Sequence, residues 1–207
     1  VKSSLDALAD VVEVEDFEAS AWRGAASLFN RDAKFEPVPL GRLDGILRPY
    51  QREGVYWMRF LENAGLGGLL ADEMGKTLQT LAWLSLPPTR AAERLPNLIV
   101  CPTSLVRNWE AEAKKFTPEM KVLVVSGPDR AKLFPAISAA DLVVTSYALL
   151  QRDFEDAYLG REFDAVVIDE AQHVKNRDTK NAKTVKSLLA RRRLALTGTP
   201  VENSVAD

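Results

Sequence analysis

The chain has 207 residues, 46% hydrophobic and 27% charged, ordinary proportions for a soluble globular protein of one large or two small domains. A formal net charge of −2 excludes bulk attraction to polyanions, so any nucleic-acid binding has to come from a local surface. No apolar run is long enough for a bilayer, Val1-Lys2-Ser3-Ser4-Leu5 does not read as a secretory signal, and the single cysteine, Cys101, excludes an internal disulfide. The expectation is a cytoplasmic protein with no membrane partner, and Cys101 is expected to pack as a small buried hydrophobe.

Residues 1–45 carry acidic and apolar residues in helical clusters and end in a connector, Glu36-Pro37-Val38-Pro39-Leu40-Gly41; they read as an N-terminal accessory segment. From Leu47 onward, short apolar runs alternate with amphipathic stretches, and no internal repeat appears. In chain order the pattern predicts a helix over 49–62, a strand over 67–71, a helix over 77–84 and a strand over 98–101. It continues with a helix over 105–116, a strand over 122–125, a helix over 130–137 and a strand over 142–145. A strand over 165–168, a helix over 182–189 and a strand over 194–197 complete it. Strands separated by helices imply repeated βαβ units: an α/β fold with a doubly wound, mostly parallel sheet whose carboxyl edge carries the site. The chain stops at Val205-Ala206-Asp207 without a closing helix or turn signal, so 46–207 is expected to be a fragment.

The most informative segment is Val166-Val167-Ile168-Asp169-Glu170-Ala171-Gln172-His173. A buried parallel strand delivers its last residues to the ligand edge, where Asp169 could hold a magnesium ion and Glu170 could polarise a water. The competing reading is an acidic helix start, because Asp and Glu favour first turns. The segment Ala71-Asp72-Glu73-Met74-Gly75-Lys76-Thr77-Leu78 places Gly-Lys-Thr between a strand and a helix, the context that a phosphate-binding loop needs. There, backbone N–H groups and the helix N-terminus meet phosphates, Lys76 reaches the outer ones, and the Thr77 hydroxyl ligates magnesium. The loop has a defect. Four residues belong between its first position and the Gly-Lys pair, and counting back from Gly75 puts that first position on Leu70, inside the expected strand.

Upstream, the aromatic-rich helix from Leu47 to Met58 mostly reads as a stripe packed on the sheet, although Gln51 could recognise an adenine edge with both ends of its amide. Two strand-to-helix junctions, Pro102-Thr103-Ser104 and Thr145-Ser146-Tyr147, could cap the following helices or donate to phosphates of a bound strand; spacing leaves both open. The turn Thr197-Gly198-Thr199-Pro200 follows a buried strand and explains itself by local conformation, although its hydroxyls could instead link the carboxylates to a moving partner. The runs Lys114-Lys115 and Arg191-Arg192-Arg193 read as solvated helix faces or termini.

Taken in order, these segments closely resemble the first RecA-like lobe of the Swi/Snf-type ATPases of helicase superfamily two, over about three quarters of the chain. The glutamine motif (residues 47–54), motif I (72–77), motif Ia (102–104), motif II (169–173) and motif III (197–200) all occur in family order. Asp-Glu-Ala-Gln-His with Thr-Gly-Thr-Pro resembles the Swi/Snf group rather than the RNA-unwinding group, and its Ala-Gln-His version is similar to that of bacterial members. The resemblance implies a two-lobed motor that uses ATP and Mg²⁺ to step along double-stranded DNA through sequence-independent backbone contacts, without separating strands. It would remodel chromatin or transcription complexes, RNA polymerase or another DNA-bound protein being the object moved. The location implied is the bacterial nucleoid, or the nucleus in a eukaryote.

By the same resemblance, Asp72, Glu73, Met74, Gly75, Lys76 and Thr77 hold the nucleotide, with Arg48 and Gln51 at its base. Thr77 and Asp169 hold magnesium, and Lys76, Asp169 and Glu170 form the catalytic set. Gln172, His173, Thr197, Gly198 and Thr199 couple hydrolysis to DNA, which Pro102, Thr103, Ser104, Thr145, Ser146 and Tyr147 contact. The family reads Asp-Glu-Met-Gly-Leu-Gly-Lys-Thr at motif I, so a Leu-Gly pair is absent here: either the loop is shorter, with two cradle amides removed, or two of its residues are missing from the sequence as written. A second lobe, which in the family supplies arginines for the γ-phosphate, is also absent, so this piece alone is expected to be near-inactive. The alternatives are a scaffold lobe with a disabled phosphate loop and an RNA helicase lobe.

Overall fold

A computed structural model of the chain describes residues 35–71, 75–87 and 94–198. Residues 1–34 of the expected accessory segment, Asp72, Glu73 and Met74 of the phosphate loop, and Thr199 and Pro200 lie outside the described residues.

Six strands follow in the expected sequence: β1 (Gly68–Leu70), β2 (Asn97–Cys101), β3 (Val122–Val124), β4 (Leu142–Ser146), β5 (Glu162–Ile168) and β6 (Leu189–Leu196). They form one sheet in the order β1-β6-β5-β2-β4-β3, every neighbouring pair parallel. Helices α1 (Pro49–Ala64), α2 (Lys76–Ser85), α3 (Val106–Phe116), α4 (Tyr147–Arg152) and α5 (Lys180–Lys186) flank it. Alternation along the central strands explains why both faces are covered. Leu98, Val100, Val166 and Ile168 point into one apolar cluster with Leu150 and Val185 from α4 and α5. Ile99, Cys101, Ala165 and Val167 point into the other, with Val55, Leu81 and Trp109 from α1, α2 and α3.

Local chemistry sets the helix ends. Pro49 opens α1 with its fixed φ, and Gly65 closes it at φ +69° with its N–H donating to the Glu62 carbonyl. The Thr179 hydroxyl accepts from Ala182 N at 3.2 Å and starts α5. Where a helix was expected over 130–137 the chain forms a 3₁₀ segment, Arg130–Ala139, because Pro135 inside it has no N–H to donate. The helix expected over 182–189 ends at Lys186, and Leu189 already begins β6, five residues ahead of the expected start of that strand.

The arginine run therefore lies in a strand rather than on a helix face. Arg192 is 7% exposed. Its guanidinium pairs with Asp164 and with Glu62 at 2.9 Å, and stacks over the Trp83 ring at 4.6 Å. Glu62 also accepts from Arg59 at 3.0 Å and from the Trp83 indole at 3.2 Å. The sequence expectation of a solvated face is corrected for Arg192, because Asp164 of β5, Glu62 of α1 and the Trp83 ring of α2 supply two carboxylates and an aromatic face. Lys114 and Lys115 are exposed, as expected of a solvated helix face.

Candidate nucleotide-binding site

Because all strands are parallel, the carboxyl ends of β1, β6 and β5 lie side by side at one edge. The Thr197 N–H donates to the Leu70 carbonyl at 3.1 Å, which ties the end of β6 to the end of β1. β1 stops at Leu70, one residue before the expected end, and the phosphate-loop segment departs from there. It returns at Gly75, whose φ of +88° turns the chain into α2, so Lys76 is the first helical residue and Thr77 lies in the first turn. A Cβ on Gly75 would overlap the Gln51 side-chain nitrogen, which would have to move, and the φ itself calls for glycine.

Gln51 is 6% exposed, and its side chain does structural work. Oε1 accepts the Arg48 N–H at 2.9 Å, closing the first turn of α1, while Nε2 rests against Gly75. Arg48 is exposed. A second glutamine mirrors the arrangement: Gln79 of α2 rests its Oε1 on Gly54 of α1. The two helices thus pack through reciprocal glutamine-on-glycine contacts, which place the glutamine motif directly beside the loop.

Asp169 follows β5 and is 6% exposed. Its Oδ2 accepts from the Trp109 indole at 2.8 Å and its Oδ1 from the Glu170 N–H at 2.9 Å. Its own N–H donates to the Val100 carbonyl at 2.9 Å, and its carbonyl accepts from the Tyr147 hydroxyl at 2.6 Å. Burial pushes the Asp169 carboxyl above the ordinary range; the indole, the Glu170 N–H and the Lys76 charge act the other way, and the Glu170 charge adds to the rise. A cation placed there would offset the desolvation.

Glu170 adopts φ +52°, alone among the described non-glycine residues in the left-handed region. Such a conformation costs about 1–2 kcal/mol. The hydrogen bonds on Asp169 hold the preceding peptide in place, and His173 N–H donates to the Glu170 carbonyl at 3.0 Å. The result turns the carboxylate toward Lys76 and Gly198: a Cβ on Gly198 would stand 3.6 Å from Lys76 Nζ and 4.0 Å from Glu170 Oε1. Lys76, Glu170 and Gly198 therefore meet, with Asp169 close enough to feel the lysine charge. Gln172 Nε2 donates to Glu170 Oε2 at 2.6 Å, and the Thr197 hydroxyl lies 3.5 Å from Gln172 Oε1, a chain that joins β6 to the acidic pair. His173 is exposed and its ring packs on Tyr147 with centroids 5.2 Å apart.

The two junctions differ. Thr103 and Ser104 are exposed in a 3₁₀ turn, Thr103–Leu105, and neither serves as an N-cap; Pro102 is half-buried beside them. At the second junction the side chains face inward. Thr145 donates to the Val125 carbonyl at 3.1 Å, Ser146 caps α4 by accepting from Leu149 N at 3.4 Å, and Tyr147 reaches Asp169. Their exposures of 0%, 1% and 6% put these side chains inside the fold, where Ser146 takes the capping alternative. Trp109 was not singled out by sequence reasoning; its only signal is the buried stripe Val106, Trp109 and Ala113 along α3.

Cys101 is fully buried and its thiol lies 3.7 Å from the Thr145 carbonyl. Burial, with Asp169 nearby, pushes its pKa up to about 12. At pH 8 the thiolate fraction is then on the order of one part in 10⁴. The native chain is expected to resist an exposed-thiol reagent at pH 8 and to react stoichiometrically in guanidinium; rapid labelling without denaturant would contradict the packing.

The donor set suits a magnesium–triphosphate. It offers only oxygen ligands, Asp169 and the Thr77 hydroxyl, and among the described residues no group of three or more His, Cys, Asp or Glu could hold a metal. Magnesium needs no such cage, since phosphate oxygens and waters fill its remaining positions.

Comparison with known proteins finds relatives of this fold. The SNF2-related domain model matches residues 50–207. The chain is 41% identical over 177 residues to the TATA-binding protein-associated factor MOT1 of Saccharomyces cerevisiae, covering 78% of this chain and 9% of that protein. It is also 41% identical over 165 residues to an uncharacterized ATP-dependent helicase of Mycoplasma pneumoniae, covering 78% of this chain and 16% of that one. A solved structure of the Sulfolobus solfataricus SWI2/SNF2 ATPase core in complex with dsDNA superposes with TM-score 0.73 and 43% identity, over 83% of this chain and 36% of that chain. The chain thus spans less than a fifth of these two curated relatives. Yeast and bacterial proteins match equally well, so the bacterial affinity expected from Ala-Gln-His is not distinguished.

Proposed function

This chain belongs to the SNF2-related family of helicase-like ATPases, and on that premise we propose that it is the ATP-binding lobe of a DNA-stimulated motor that translocates on double-stranded DNA. The observation that carries the reading is the meeting of Lys76, Glu170 and Gly198 beside Asp169 at one sheet edge. The similar Sulfolobus core in complex with dsDNA supports duplex as the track, and the resemblance to MOT1 supports remodelling of protein–DNA or transcription complexes. A scaffold lobe and an RNA helicase lobe are not favoured by these likenesses.

In this reading Lys76 neutralises the outer phosphates from the start of α2, where helix N–H groups already favour anions. Asp169 and Thr77 hold Mg²⁺, which when bound supplies charge neutralisation for the transferred phosphoryl group. Glu170, turned toward Lys76 and Gly198 by its left-handed backbone, orients the attacking water and takes its proton at a carboxylate oxygen. Gln51 and Arg48 stand at the nucleoside end, and Asp72, Glu73 and Met74 complete the loop. Gln172, His173, Thr197, Gly198 and Thr199 link this chemistry to DNA, whose backbone Pro102, Thr103 and Ser104 contact. Residues 1–45 form an accessory segment before the lobe of 46–207, and a second lobe of the same protein closes the cleft. The protein works at the nucleoid, or in the nucleus of a eukaryote, with RNA polymerase or another DNA-bound protein as its object.

The test is ATP turnover by a protein carrying this chain and its second lobe, measured with duplex DNA and with single-stranded RNA. Stimulation by duplex and little turnover by the 207-residue chain alone are expected. Equal stimulation by RNA would move the assignment to the RNA helicases, and no nucleotide binding at all would move it to a scaffold.

A further inference from the structure

Besides backbone bonds, two side chains hold Asp169 in place. Trp109, 1% exposed, spends its only polar atom on Oδ2, and the Glu170 N–H occupies Oδ1. The Tyr147 hydroxyl, also buried, donates to the carbonyl of the same residue. An indole N–H and a phenol are neutral donors, so they orient a carboxylate and its peptide without cancelling the charge that a cation requires. An ammonium or guanidinium in either place would compete with the ion instead. The two donors also come from different helices: Trp109 from α3, after the exposed Thr103 and Ser104, and Tyr147 from the start of α4.

We infer that Trp109 and Tyr147 are positioning residues that fix Asp169 for the magnesium of a bound nucleotide. The inference rests on the nucleotide-binding reading above. Partners in the shell outside the ligands typically change metal affinity about 10–100-fold when removed. Trp109→Phe keeps an aromatic ring and removes the donor; Tyr147→Phe removes one oxygen and leaves the ring stacked on His173.

The probe is a fluorescent N-methylanthraniloyl-ADP bound to the 207-residue chain, titrated with Mg²⁺ and, separately, measured in EDTA. Trp109→Phe is expected to raise the half-saturating Mg²⁺ concentration by about tenfold, with affinity in EDTA unchanged within about twofold. Tyr147→Phe should shift it in the same direction by less, and excess Mg²⁺ should restore binding in both. A purely structural role would lower the melting temperature and leave the Mg²⁺ midpoint where it was. That unchanged midpoint overturns the inference, as does an equal loss of affinity with and without the metal. Should Trp109→Phe not fold, the Tyr147→Phe midpoint decides alone. If the unsubstituted chain binds the probe neither with Mg²⁺ nor in EDTA, the proposed function itself fails and takes the inference with it. Binding by the unsubstituted chain with no shift in either variant sinks the inference only.

Discussion

Glu170→Gln, placed in a protein that carries this chain and a second lobe, is expected to cut ATP turnover by on the order of 10²–10⁴ while nucleotide affinity stays within about twofold. The amide keeps the size and the hydrogen-bonding reach of the side chain but cannot accept a proton from water. The backbone argues for the same conclusion. A left-handed non-glycine residue is held against its own preference by the hydrogen bonds to Asp169, and the carboxylate so aimed sits beside Lys76 and Gly198. Lys76→Ala should fail differently, by losing nucleotide affinity first, because the lysine binds phosphate charge in ground and transition states alike. Steady-state turnover with a separate binding titration checks both. A Glu170→Gln protein that still hydrolyses ATP at more than about a tenth of the normal rate would remove Glu170 from the role of base.

Arg192→Leu is expected to destabilise the fold by roughly 3–5 kcal/mol, the cost of leaving a buried partner charge uncompensated. Glu62 would keep Arg59 and the Trp83 indole, but Asp164, 5% exposed, would lose its cation. For a chain of this size the melting temperature should fall by about 6–20 °C. The double variant Arg192→Leu/Asp164→Asn should recover part of that loss, since the stranded charge is then gone. The network lies midway along the strands, where Arg192 is in register with Ala165 and not at the carboxyl edge, so nucleotide binding at that edge should persist below the transition. Thermal unfolding of the three proteins tests it; a single variant as stable as the original would show the arginine to be dispensable packing.

Of the six strands, five stay within a few residues of their expected ends, because short apolar runs, buried throughout in β2 and β4 and half-buried at the β1 and β3 edges, leave a clear composition signal. β6 is the exception. Its first five residues, Leu189-Ala190-Arg191-Arg192-Arg193, carry three charges in a row and read as surface; pairing with β5 makes them a strand, and Glu162, Asp164 and Glu62 accommodate Arg191 and Arg192. α4 escaped because six residues after a strand, Tyr147-Ala148-Leu149-Leu150-Gln151-Arg152, present too short a period to recognise. The junction hydroxyls were ambiguous for a related reason. A Thr or Ser after a strand looks the same whether it caps a helix, as Ser146 does, or stands exposed, as Thr103 and Ser104 do.

Residue types and their order determined the fold class, the parallel sheet and the residues offered to a phosphate and a metal, since strand burial, Gly-Lys-Thr and Asp-Glu are local patterns. Tertiary structure alone decided which of those residues meet. Trp109 stands 60 positions before Asp169, and Arg192 stands 130 positions after Glu62, yet each pair is within hydrogen-bonding distance. No period or motif encodes such pairs: they exist because a parallel sheet brings distant strand ends to one edge and its helices cover the interior, where buried polar groups must find one another.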